Sequence, residues 1–141
     1  MFKNLKTPIP IWVNVVQIIL VLIMLMQVFW YYFDHSVILE SGVTLAGVPD
    51  LNIIYTLGGR TATLAIGAVF VLITQNPKQF LVVLFMNIVR ESQEMIIDPR
   101  FPLADATATP TVDFWTHVVI VVIEILAFMA VFRVARREDQ K

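Results

Sequence analysis

The chain of 141 residues contains no cysteine and only two histidines, His35 and His117. The first absence excludes disulfides, thiol redox chemistry, cysteine nucleophiles and thiolate-bound metals. No His-x-x-x-His pair exists either, so no metal site is expected from this chain alone. Charge is scarce as well: charged residues make up 15% of the chain and hydrophobic ones 58%. Mean hydropathy is +0.79. A soluble domain of this size carries more charge and shorter apolar runs, so the composition points to an integral membrane protein. A phosphate-binding glycine loop, a Ser-His-Asp arrangement and a nucleic-acid-binding stretch are also missing, and no nucleic-acid partner is expected.

What is present is a set of long apolar runs. A bilayer core takes about 20 apolar residues per helix. The pattern predicts an all-α, integral membrane four-helix bundle, a single transmembrane domain over 1–141. The predicted helices are about 10–33, 53–74, 77–97 and 114–133, with outer loops 34–52 and 98–113 and a tail 134–141. The first run follows Lys3 and Lys6 but is too long for a signal-peptide core and lacks a small-x-small cleavage site, so it reads as a retained helix. It closes on Trp30, Tyr31, Tyr32 and Phe33, which suit an interfacial aromatic belt.

Only Gln75-Asn76-Pro77-Lys78 separates the second and third runs, a tight hairpin with proline at a helix start. Four spans put both termini beside this hairpin. That side collects Lys3, Lys6, Lys78, Arg133, Arg136, Arg137 and Lys141, whereas the other collects Asp34, Glu40, Asp50, Asp98, Asp105 and Asp113 against Arg100. The positive-inside rule then predicts a multi-pass plasma-membrane protein with both termini cytoplasmic.

Within these runs stand groups that hydrocarbon does not tolerate unpaired. Glu124 lies in the middle of the fourth, and Arg60 and Arg90 lie inside the second and third. Counted at 1.5 Å per residue from the cytoplasmic ends, Glu124 sits about 13 Å up, Gln17 about 16 Å, Arg90 about 18 Å, Arg60 about 21 Å, and Glu94 and His117 about 24 Å. Asn87, Arg90, Glu91 and Glu94 form one helical stripe. Asp113, His117 and Glu124 form a second, Arg60, Thr63 and Gly67 a third, and Asn14 and Gln17 a fourth. Four polar stripes turned toward one another predict a buried polar chamber open to the outer side.

Two readings of that chamber stay open. Arg60 and Arg90 can simply pair with Glu94 and Glu124 and fix the helix register. Alternatively the chamber is a pocket, with Glu124, Glu94 and His117 as acid–base groups and Arg60, Arg90, Asn87, Gln17 and Thr63 contacting a lipophilic or anionic small molecule.

The segment Gly59-Arg60-Thr61-Ala62-Thr63 with Gly67, the run Asn87-Ile88-Val89-Arg90 ahead of Asp98-Pro99-Arg100-Phe101-Pro102, and Glu124 ahead of Arg133, Arg136 and Arg137 form a pattern over most of the chain. It resembles the DoxX-like four-helix membrane proteins. The resemblance implies a bacterial inner-membrane location. It also implies a quinone as a possible partner of the pocket, since the founding members are associated with sulfur-compound oxidation coupled to quinone. The sequence itself requires no cofactor, and the lack of cysteine speaks against thiol-based redox chemistry here. Three functions therefore compete: a pocket for a lipid-like or anionic ligand, with or without catalysis; a proton-coupled transporter; and a non-catalytic subunit of a larger membrane complex. A homodimer is open in each case.

Overall fold

The computed structural model describes residues 9–40, 42–100 and 109–140. Lys3, Lys6, Asp105, Lys141, and Phe101 and Pro102 of the quoted pattern lie outside the described residues. The described chain is all-helical, with α1 Ile11–Tyr32, α2 Ser36–Glu40, α3 Val48–Thr74, α4 Pro77–Ile97 and α5 Pro110–Glu138. Among the described residues three helices are long and apolar enough to cross a membrane: α1, α3 and, over Thr111–Glu138, α5.

Two helices exceed their apolar runs. α3 begins at Val48 rather than Ile53, because Pro49 presets its first turn and the Asp50 carboxylate accepts from the Ala46 amide at 2.8 Å. α5 continues through Arg133 to Glu138, because Ala135, Arg136 and Arg137 are good helix formers even where the apolar run has ended. The short α2 lies in the first loop, where a connection without helix was expected.

The connection from α3 to α4 explains how the helices are set. Gln75 closes α3 in a left-handed conformation, φ 50°, and its amide bonds the Val71 carbonyl at 2.9 Å. Its side chain donates to the Leu72 carbonyl at 2.7 Å and exchanges two hydrogen bonds with Asn14 of α1, at 3.0 and 3.3 Å. Asn76 then caps α4 by accepting from Lys78 and Gln79, with Pro77 in the first turn. Asn14 is thus committed to the hairpin and does not line a chamber.

α1 packs chiefly on α3, and α4 on α5. At the hairpin end the two pairs are joined by a dry core of Ile9, Val13, Val71, Phe80, Leu84, Ala127 and Val131, each at most 1% exposed. A second core, Leu20, Val21, Met24, Ala65 and Ala68, holds α1 to α3. Toward the loop end Gly58 lets α1 approach so closely that a Cβ there would lie 2.8 Å from the Tyr32 ring and 2.9 Å from the Tyr31 Cβ. Tyr32 stacks on Tyr55 at 5.6 Å and donates to its carbonyl at 3.1 Å, so the expected aromatic belt is also a helix clamp.

Candidate functional site

Polar residues on four elements converge in the loop-end half of the molecule. The centre is Glu91 of α4, whose side chain is 4% exposed. One carboxylate oxygen meets the neighbouring Arg90 guanidinium, and the other lies 2.9 Å from Nδ1 of His117 on α5. Arg90 also reaches Glu94 at 3.6 Å and donates to Gln27 of α1 at 3.4 Å. The second imidazole nitrogen of His117, Nε2, lies 3.3 Å from Asp98 and 3.8 Å from Asp113. His117 therefore joins the loop-end carboxylates to the buried one. Burial and then the neighbouring Asp113 charge raise the Asp98 carboxyl above its ordinary value.

Donor atoms of Glu91, Glu94 and His117 lie within 4.8 Å of one another, as do those of Asp98, Asp113 and His117. Arg90 already pairs with both carboxylates of the first group, and both groups depend on the same imidazole. The arrangement is an internally compensated hydrogen-bond network, not a set of free ligands.

Below this network lies a different environment. Gln17, Asn87 and Glu124 are at most 1% exposed, and among the described residues none of their side-chain nitrogen or oxygen atoms has a hydrogen-bond partner; Nε of Arg90 is in the same state. The helix register brings these groups to neighbouring depths. Asn87 lies one turn below Glu91 on α4, and Glu124 two turns, about 10 Å, below His117 on the antiparallel α5. Glu124 lies within electrostatic reach of Glu91, Arg90 and Glu94. A groove of about 140 Å³ between α1 and α5 also ends at Glu124, and its other walls are aliphatic, including Ile19, Ile23, Ile120 and Ile123.

The larger cavity, about 430 Å³, opens between α3 and α4 with α1 as its floor. Arg60, Leu57 and Leu64 stand on one side and Phe85, Val89, Arg90 and Glu94 on the other, with Gln27 and Tyr31 behind. Arg60 is exposed and, among the described residues, makes no hydrogen bond or ion pair. It does not join the Glu91 network. Thr63 does not line the cavity: it is exposed and its hydroxyl donates to its own helix at Gly59, 2.8 Å.

The structure thus brings together Arg90, Glu94 and His117 in one network and aligns Gln17, Asn87 and Glu124 beneath it. From the sequence, Glu91 belongs to a stripe but not to its centre, Tyr31 belongs to the aromatic belt rather than to a site, and Gln27 carries no role. The signal for those two was present. They continue the buried α1 stripe Val13, Gln17, Leu20, Met24 at helical spacing.

No family model matches this chain, and neither a curated protein nor a solved structure matches it. The functional argument therefore rests on the site.

Proposed function

We propose that this is a DoxX-like bacterial inner-membrane protein of four spans, with both termini cytoplasmic, whose α3–α4 cavity binds a lipophilic molecule bearing an anionic or carbonyl head. α4 is set apart from the three apolar spans by the charges it carries, Arg90, Glu91 and Glu94. Arg90 pairs with both carboxylates on the helix's inward side. The face it leaves exposed is apolar, with Val82, Phe85, Met86 and Val89. Such a helix is at home in lipid once its polar stripe is paired. The asymmetry of basic and acidic residues supports the orientation.

The observation that carries the ligand assignment is Arg60. An arginine inside an apolar helix, unpaired and beside a cavity with leucine, phenylalanine and valine walls, lacks only an acceptor oxygen. A carboxylate, a phosphate or a quinone carbonyl supplies one, while the apolar walls take the hydrocarbon part. Arg90 is already engaged by Glu91 and Glu94, so Arg60 is the cation free for the ligand. Glu94 stands on the cavity wall with its carboxylate paired to Arg90, and His117, bound to Glu91, serves the network.

The test is retention of oleate by full-length protein in nanodiscs, read by native mass spectrometry. Arg60→Gln should lower retained oleate about tenfold, the expected effect of one lost charged hydrogen bond. Equal retention with unchanged helicity would refute the assignment. Competition of oleate by a short-chain quinone separates the two head-group chemistries.

A further inference from the structure

Buried polar atoms are nearly always hydrogen-bonded, to protein or to ordered water. Gln17, Asn87, Glu124 and the Arg90 Nε break that rule together, at neighbouring depths and on three facing helices. A buried water makes two to four hydrogen bonds to otherwise unsatisfied groups, and two amide side chains with a carboxylate provide such a set. Above them the chain Asp98/Asp113, His117, Glu91 runs to the loop end with contacts of 2.9 and 3.3 Å. Below them Phe80, Leu84, Ala127 and Val131 close the interior. Sideways, the α1–α5 groove presents only aliphatic walls. The polar column has one end that titratable groups connect to solution and one end that is sealed.

We propose that Glu124 is a proton-binding site loaded from the loop end through Asp98 or Asp113, His117 and Glu91, and closed toward the hairpin end. A proton from solution passes from the Asp98 or Asp113 carboxyl to Nε2 of His117. The imidazole releases its other proton from Nδ1 to Glu91. Waters held by Asn87 and Gln17 carry the last step, about 10 Å along the helix axis, to a Glu124 oxygen. The net change is one proton removed from solution and one buried carboxylate neutralised; no bond other than O–H and N–H is made or broken.

Glu124 is surrounded by few other charges. α4 presents Arg90, Glu91 and Glu94, and α5 presents His117. α1 presents the uncharged Gln17 and, higher, Tyr31, which lies in the field of Glu94, Arg90 and Asp98. α3 contributes the small apolar residues Ala65 and Ala68, and its Arg60 is exposed. The proposal is independent of the ligand assigned to the α3–α4 cavity.

The experiment is infrared difference spectroscopy of the full-length protein in lipid nanodiscs. The carbonyl stretch of a protonated carboxylic acid should titrate with pH and disappear in Glu124→Gln. Glu124→Asp should keep a band at shifted frequency, which serves if Glu124→Gln does not fold. After transfer to deuterated buffer, His117→Ala should slow the isotope shift of the Glu124 band by about 100-fold, the scale of losing one positioned proton carrier. Wild-type exchange kinetics in His117→Ala would overturn the relay. A band unchanged in both Glu124 variants would overturn the site itself.

Discussion

Nδ1 of His117 and Oε2 of Glu91 lie 2.9 Å apart across the α4–α5 interface, both largely withdrawn from solvent. Each residue limits the damage the other's burial would cause. Removing the imidazole strands a carboxylate oxygen, and removing the carboxylate strands a ring nitrogen. His117→Ala should therefore destabilise the folded protein by about 2 kcal/mol. Combining it with Glu91→Gln should cost clearly less than the sum of the two single changes. Denaturation midpoints in mixed micelles measure the cycle, and strict additivity would show that the two side chains do not interact.

Gly58→Ala addresses the clamp between α1 and α3. The added methyl would approach the Tyr31 Cβ to 2.9 Å, and that atom is tied to the backbone, so the helices must separate. The expected loss is about 1–3 kcal/mol, as for an overpacked core. Gly59→Ala is the control, because its nearest neighbour is the Tyr32 hydroxyl at 3.3 Å, the far end of a long side chain. A Gly58 variant as stable as the Gly59 variant would contradict the close approach.

Asp98 gives a pH dependence whose sign is fixed by its surroundings. Its carboxyl is raised above the ordinary aspartate value of 3.8, so the folded state favours the protonated form. That contribution is complete below 3.8 and is lost as pH rises through the folded-state value. Asp98→Asn removes the dependence and should gain stability relative to wild type as pH rises through this window. Thermal unfolding over a pH series reads it. A relative loss for the Asn variant would mean that the His117 contact outweighs burial and Asp113.

The stripes on α4 and α5 were legible because a 3.6-residue period is all that is needed to align Asn87 with Glu91, or His117 with Glu124. Depth counting also put Gln17 at the level of Glu124, and it is buried as Glu124 is. Arg60 is the instructive contrast. Counting gave its depth but not its azimuth, and its shared face with Thr63 was taken to be the inner one. The small residues Gly58, Ala65 and Ala68 mark the packed face of α3, and Arg60 lies two residues, about 200° of rotation, from Gly58. Helix ends were misjudged for another reason. An apolar run measures what hydrocarbon accepts, whereas helix length depends on caps and propensity, which carry α3 back to Val48 and α5 on to Glu138.

The turn at Gln75 and Asn76 has a mechanical side. It pins α3 to α4 at one end, the helices are still close enough two turns away that a Cβ on Gly67 would lie 3.8 Å from Val83, and beyond that point they part around the cavity. Arg60 stands about 22 Å from that pivot along its helix, so a 5° change in the angle between the helices shifts it by roughly 2 Å. The geometry is that of a pair of calipers. Substitutions at Asn14 or Gln75, which touch no ligand, would reset the gap in front of Arg60 by leverage alone.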